Sequence, residues 1–198
     1  MNIPSDLSFL KFINYPSETT RKSPPDVEDV ERVSGALFDA LLRYRKGPLS
    51  ALLSEVVFVG RLNIRGTPFL GLARPDHKEI TIAVRDQTSS RQAVSTLHHE
   101  IGHLVEGNSR FPKAEWLALS EEFSGPFKGE YKNPREWYLE RGFITAYGSK
   151  NRHEDFAEYV ELMFEDEAQL NRFAKKYPRV AAKAALVRKV YADMRLLA

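Results

Sequence analysis

Apolar positions recur along much of the chain at intervals of three and four residues, the spacing of an amphipathic helix. The first such stripe follows Pro24-Pro25 and predicts a helix that begins at Asp26 and ends at Gly47-Pro48. Its apolar members are Val27, Val30, Val33, Leu37 and Leu41. Further helices are predicted at about 114–123, 151–165, 167–176 and 178–197, so the C-terminal half is expected to be mostly helical.

Three shorter runs, at 55–59, 67–73 and 79–84, have the composition of β-strands. Their short connections predict an antiparallel meander. Residues 79–84 alternate polar and apolar side chains, which predicts an edge strand. That edge would be either half-buried sheet or a surface on which an extended peptide adds as another strand. Residues 1–25 are predicted to form an irregular N-terminal arm and residues 26–198 a single domain.

A helix is also predicted between Ser89 and Glu106, because Ser89 and Gln92 have the spacing of a capping box and no proline interrupts the run. One side of this helix is apolar, and two histidines fall roughly opposite it. The apolar positions are Val94, Leu97, Ile101, Leu104 and Val105. His98 lies near the edge of this stripe and is interpreted as a packing residue.

The same helix carries the pattern His99-Glu100-x-x-His103. Residues four apart stand one above the other on a helix, so both imidazoles can bind one zinc ion. Glu100 then lies beside the metal, where it can take a proton from the water that the metal activates. The pattern predicts a metallopeptidase site with one Zn²⁺. The fold is therefore expected to be α+β, with a small antiparallel sheet packed on a zinc-binding helix.

A tetrahedral catalytic zinc needs one more protein ligand, and no histidine follows His103 at short spacing. The acidic face of the helix at 151–165 is the favoured source, with Glu154 preferred over Glu158 and His153. If Glu154 binds the metal, Glu158 would hydrogen-bond a ligating histidine. Two alternatives stay open: a solvated acidic face, or a purely structural Glu154 in the capping box Asn151-x-x-Glu154.

Tryptophan and tyrosine residues are concentrated in the segment between the two site helices, among them Trp116, Tyr131, Trp137 and Tyr138. They could line a substrate cleft or pack beneath a long loop, and the sequence leaves both possibilities open. The role of this segment is not indicated by any other pattern.

The overall composition excludes several classes of function. With 29 Lys and Arg against 27 Asp and Glu, and no basic block, no nucleic-acid partner is predicted. The absence of cysteine excludes disulfides and cysteine-ligated zinc. No apolar run is long enough to span a membrane. No secretory signal is visible, so we expect a cytoplasmic protein, one exported by a signal-independent route, or a shortened chain. Oligomeric state is not indicated.

The run Tyr147-Gly148-x-x-Asn151-x-x-Glu154-x-Phe156-Ala157-Glu158, placed after His99-Glu100-x-Gly102-His103, resembles the catalytic domain of anthrax lethal factor and its relatives, a group that includes the clostridial Pro-Pro endopeptidase. The similarity covers roughly half of the chain. It implies that Glu154 is the third zinc ligand, that Tyr147 assists catalysis, and that Glu158 supports a zinc histidine. Asp155 departs from the group, which usually has an aromatic residue there. Substrate choice is not implied.

Together these observations predict a gluzincin-type zinc metallopeptidase that hydrolyses a peptide or protein substrate. Zinc would be held by His99, His103 and Glu154, with Glu100 as general base and Tyr147 as a hydrogen-bond donor to the oxyanion. The alternatives are a zinc-fold binding or regulatory module without activity, and a zinc hydrolase of non-peptide amides.

Overall fold

The computed structural model describes residues 3–15, 19, 21–120, 123, 124 and 133–198. Within these residues the chain forms six strands and eight α-helices, in agreement with the predicted α+β class and mostly helical C-terminal half. The strands are β1 Lys11–Asn14, β2 Glu55–Val59, β3 Leu62–Ile64, β4 Thr67–Phe69, β5 Gly71–Arg74 and β6 Glu79–Ala83. The helices are α1 Val27–Leu41, α2 Lys46–Leu52, α3 Ser90–Glu106, α4 Lys113–Ala118, α5 Arg135–Glu140, α6 Arg152–Glu165, α7 Glu167–Lys176 and α8 Pro178–Asp193.

The main sheet has the strand order β1-β2-β6-β5, and its strand directions are mixed. β2 is parallel to both β1 and β6, whereas β5 is antiparallel to β6. The prediction of an antiparallel meander is therefore wrong for most of the sheet. Two crossovers make the parallel pairs possible: α1 and α2 connect β1 to β2, and the β3–β4 hairpin with β5 lies between β2 and β6.

The predicted edge strand at 79–84 lies inside the sheet, and β5 occupies the edge instead. Side-chain alternation was misleading because both faces of β6 are covered. Ile80 and Ile82 belong to the main core, and Ala83 packs into a smaller cluster with Val59 and Leu62 on the other face. Even Thr81, a polar residue in the middle of the strand, is fully buried.

The N-terminal region also differs from its prediction. Residues 11–14 are not irregular, because they form β1 and pair with β2 in register. Four residues are too few to produce a periodic signal in the sequence. The strand conformation is stabilised by the pairing with β2. Helix α1 ends at Leu41, and Gly47-Pro48 lies within the first turn of α2, where a proline costs no hydrogen bond.

Helices α3 and α6 pack against each other in opposite directions and bring the candidate site together. Their apolar faces bury Leu97 and Ile101 of α3 and Phe156 and Val160 of α6. Gly102 allows the close approach, since a Cβ at this position would lie 2.9 Å from the Cα of Ala157. None of the helices in the described ranges has the length and apolar character that a bilayer span requires.

Candidate metal centre

Helix α3 has the predicted boundaries. The hydroxyl of Ser89 accepts the backbone N–H of Gln92 at 3.1 Å. The Gln92 side chain accepts from the N–H of Thr88 at 2.7 Å, one residue earlier than in a standard capping box. The apolar stripe faces the core, while His99 and His103 keep 12% and 20% of their side chains exposed. The helix therefore presents both imidazoles to a cleft.

Glu154 meets the two histidines from the first turn of α6. Its Oε2 lies 3.2 Å from His99 Nε2 and 3.4 Å from His103 Nε2, and one ligand atom from each residue falls within 4.8 Å of the others. A zinc ion bound tetrahedrally at about 2.0–2.1 Å separates its ligand atoms by about 3.3 Å. Two imidazoles and one carboxylate are also a common donor set for catalytic zinc. The three side chains therefore fit a zinc ion.

Local capping explains how α6 delivers this carboxylate. The side-chain oxygen of Asn151 accepts the backbone N–H groups of His153 and Glu154 at 2.9 and 3.0 Å. Asn151 thus caps the helix, and the Glu154 carboxylate remains directed at the histidines. Burial alone would raise the pKa of Glu154, but hydrogen bonds from His103 and His99 hold that pKa well below its usual range. Lys150 Nζ lies 3.4 Å from the second carboxylate oxygen.

Two further carboxylates of α6 contact the other ring nitrogen of His99. His99 Nδ1 lies 3.4 Å from Glu158 Oε1 and 3.1 Å from Glu161 Oε2. The sequence predicted the Glu158 contact; Glu161 shares its helical face but was assigned no role, and Ser95 donates to it. Burial would lower the pKa of His99, but Glu154, Glu158 and Glu161 together raise it well above the usual value.

Glu100 lies buried between α3 and the edge strand β5. A Cβ on Gly71 would come within 2.7 Å of Glu100 Oε1, so a glycine is required for this approach. The backbone N–H of Ala73 donates to the carboxylate. Burial raises the pKa of Glu100, against a lowering effect of His103 and His99. A carboxylate with a raised pKa suits proton uptake and return near neutral pH.

Tyr147 lies near the histidines and immediately precedes a short 3₁₀ helix, Gly148–Lys150. Its ring centre lies 6.2 Å from that of His99, and Lys150 Nζ lies 4.9 Å from the tyrosine ring centre. Burial raises the pKa of Tyr147, and the neighbouring Glu154 carboxylate raises it further. The phenol therefore stays protonated and can act as a hydrogen-bond donor.

The other histidines considered from the sequence lie outside this group. His98 is fully buried, its Nδ1 is 2.7 Å from the Tyr44 hydroxyl and its ring stacks on Phe164 at 4.1 Å. Burial lowers the pKa of His98 to about 3, with a further contribution from Arg43. His153 contacts Glu106 instead of the ligand set.

The packing alternative holds for Trp116, Trp137 and Tyr138, three of the aromatic residues considered between α3 and α6. Trp116 and Tyr138 are buried, and Trp116 makes an edge contact with Phe156 of α6. The Trp137 ring is covered by the guanidinium of Arg141, 3.8 Å from its centre. Tyr131 lies outside the described residues.

A cleft of about 380 Å³ opens over the three converging side chains. Its lining includes Leu72 of strand β5 and the nearby Phe69 and Pro75. His103, Tyr147 and Glu154 line the same cleft. The cleft thus places an edge strand beside the candidate metal centre.

Comparison with known proteins gives a match to a family and a match to a solved structure. Residues 54–192 match a family described as "Putative zinc-binding metallo-peptidase". A crystal structure from Bacteroides caccae ATCC 43185, described in the same words, superposes with a TM-score of 0.60 at 15% identity, covering 93% of this chain and 79% of that chain. At this identity the superposition shows the fold alone. No curated protein matches the chain.

Proposed function

The chain belongs to this metallo-peptidase family, and from that premise we propose that it is a zinc-dependent endopeptidase of the gluzincin type. The observation that carries the proposal is the convergence of His99, His103 and Glu154 within 4.8 Å, with Glu100 buried beside them. The substrate would be a peptide or protein. The resemblance to the lethal-factor group remains a prediction.

His99, His103 and Glu154 would hold one zinc ion. When bound, zinc supplies Lewis-acid chemistry that polarises a scissile carbonyl and makes water a stronger acid. His99 would use Nε2 as the ligand, since its Nδ1 faces Glu158 and Glu161. Carboxylates only accept hydrogen bonds, so they hold the proton on Nδ1 and fix the tautomer and orientation of the ring.

Glu100 would serve as the general base. It takes a proton from the attacking water and later passes this proton to the leaving amine. Gly71 leaves room for the carboxylate, and the Ala73 N–H holds it in place. Burial keeps Glu100 out of bulk water and raises its pKa, whereas the hydrogen bond from Ala73 lowers that pKa.

Tyr147 would donate its phenolic hydrogen to the oxyanion that forms when the carbonyl is attacked. Such a donor acts mainly in the transition state, because the negative charge develops only there. Its position beside His99 and its raised pKa support this role.

Strand β5 would bind the substrate as an additional strand. In an antiparallel ladder, the backbone N–H and C=O groups of successive residues point alternately toward the partner strand and away from it. The C=O of Leu70 accepts the N–H of Ala83, at the end of β6, at 2.9 Å. The backbone groups of Gly71 and Ala73 therefore point toward the outer edge of β5. The Ala73 N–H is used by Glu100. The carbonyl groups of both residues and the Gly71 N–H face the side on which an extended peptide can add. The peptide-binding edge proposed for 79–84 thus moves to β5.

A peptide-library digest, with and without a chelator, tests this function. We expect cleavage that chelation abolishes and zinc restores. Glu100→Gln is nearly isosteric and does not remove a ligand, so it should keep zinc and lose at least about 10³-fold in turnover, since proton uptake and delivery both depend on it. Zinc content and turnover are measured on the same samples.

The outcomes separate this proposal from its alternatives. Near-normal turnover by Glu100→Gln would refute the mechanism. Zinc binding without cleavage would indicate a binding or regulatory module, and hydrolysis confined to non-peptide amides would indicate a different zinc hydrolase.

A further inference from the structure

A polar contact that the proposed mechanism does not use joins α3 to α6 beside the metal centre. Glu106 Oε1 lies 2.6 Å from Arg152 Nε, and Glu106 Oε2 lies 2.6 Å from His153 Nδ1. Only 3% of the Glu106 side chain is exposed. We refer to Glu106, Arg152 and His153 as the Glu106 clamp. Both oxygens of a buried carboxylate are thus used to hold two consecutive residues of another helix.

Helix stability does not explain these charges. Glu106 is the last residue of α3, where the helix dipole disfavours a negative charge. Arg152 opens α6, where the dipole disfavours its positive charge. Burying a carboxylate also costs free energy unless it is well paired. Each group is unfavourable on its own helix, and the arrangement is favourable only as a contact between the two helices.

The clamp joins the parts of the chain that carry the metal ligands. Glu106 follows His103 by three residues, and Arg152 and His153 immediately precede Glu154. The Gly102–Ala157 contact sets how closely the helices approach. Apolar packing is not directional, however, and tolerates small slides along the helix axes. Hydrogen bonds of 2.6 Å are directional, so the clamp defines how far along α3 the carboxylate of Glu154 lies.

We propose that Glu106 is a positioning residue of the metal centre, which sets the axial position of Glu154 against His99 and His103 through Arg152 and His153. This inference rests on the proposed function, because it requires that the three side chains bind zinc. It adds to the site a residue outside the group of three side chains that would hold the metal.

The same pair of helices provides a matched control. At its far end, Arg91 Nε of α3 lies 3.2 Å from Glu165 Oε2 of α6, and 77% of the Arg91 side chain is exposed. Like Arg152 with Glu106, this is an Arg–Glu ion pair between α3 and α6, but it lies far from Glu154. Glu165→Gln therefore removes an interhelical ion pair without altering the clamp.

The test measures zinc affinity by competition with a chromophoric chelator, together with the Tm of the metal-free proteins. Glu106→Gln removes the negative charge and one of the two acceptor oxygens, so Arg152 loses its carboxylate partner and the contact between the helices weakens. We expect its zinc affinity to fall roughly tenfold, as for other groups that orient metal ligands, and that of Glu165→Gln to match the unsubstituted protein. Arg152→Met removes one arm of the clamp and should show a smaller loss in the same direction.

Unchanged zinc affinity in Glu106→Gln, whatever its Tm, would overturn the inference. An equal loss in Glu106→Gln and Glu165→Gln would also overturn it, because the effect would then be general to the helix contact. If Glu106→Gln does not fold, Arg152→Met decides by the same comparison. Failure of the unsubstituted protein to bind zinc would instead refute the proposed function, and His103→Ala provides the reference for a damaged site.

Discussion

In two pairs of sequence neighbours on α3 and α6, one residue faces the cleft and the other faces the core. The pairs are His98 with His99 and Glu154 with Asp155. His99 and Glu154 face the cleft and lie 3.2 Å apart. His98 stacks on Phe164 in the core, and Asp155 forms a fully buried ion pair with Lys183 at 2.7 Å. Similar chemical groups, one residue apart, therefore have opposite surroundings.

The pKa values of the four groups follow this division. On the core side burial dominates, lowering the pKa of His98 to about 3 and raising that of Asp155 to about 7 despite Lys183. On the cleft side the mutual contacts outweigh burial, so that the pKa of His99 is raised and that of Glu154 is lowered. A charge partner thus decides protonation in the cleft, whereas desolvation decides it in the core.

The strongest test on the cleft side is Glu154→Gln. Removal of one of three protein ligands should lower zinc affinity about a thousandfold and abolish peptidase activity, because each ligand carries a large share of the binding free energy. Glu158→Gln should lower zinc affinity only about tenfold, since Glu161 still accepts a hydrogen bond from His99. Measured zinc dissociation constants of the two variants test both predictions. Retention of stoichiometric zinc by Glu154→Gln, with loss in Glu158→Gln, would place the ligand one helical turn further along.

The matching test on the core side is Asp155→Asn. It leaves Lys183 buried without a counter-charge and should lower the free energy of unfolding by about 3–5 kcal/mol. Zinc affinity of the folded protein should change far less than in Glu154→Gln. Denaturant unfolding checks the prediction, and the double variant with Lys183→Met should recover part of the loss. Wild-type stability in Asp155→Asn would show that the ion pair does not stabilise the core.

Tyr147→Phe separates chemistry from packing on the cleft side. If the phenol stabilises the oxyanion, kcat should fall roughly 10²-fold while KM and zinc content stay nearly unchanged. Steady-state kinetics on a cleaved peptide provide the measurement. A ring that only packs would make Phe a silent replacement and Tyr147→Ala a destabilising one, so full kcat in Tyr147→Phe argues against the catalytic role.

The smallest effect on stability is expected from a pH dependence due to His98. Its pKa is lowered to about 3 in the folded protein, so the unfolded chain binds more protons below the usual value of 6.5. The contribution of His98 to stability is complete above that value and is lost as the pH falls. Between pH 7 and pH 5 the loss should be about 2 kcal/mol.

Unfolding of chelated protein and of His98→Asn across this pH range tests the assignment. Asparagine keeps an acceptor for Tyr44 but does not titrate, so the variant should have a smaller slope of stability against pH. Equal slopes would show that His98 is not responsible.

The sequence by itself determined the two helices that form the site and the side chains that they present to it. The boundaries of α3 are local properties, because Ser89 and the apolar stripe specify them. The acidic face of α6 is local as well, and Asn151 fixes where that helix begins. Side-chain direction repeats every 3.6 residues, so the pairing of His99 with His103 required no tertiary information.

Only the tertiary structure decided which strand forms the edge beside the cleft and that Glu161 also meets His99. Parallel pairing of β2 with β1 and β6 depends on crossovers that no local pattern encodes. The Glu161 contact and the Glu106 clamp both depend on how far α6 slides along α3. Helical periodicity specifies the face on which a residue lies, but the partner across that face is set by packing between distant segments of the chain.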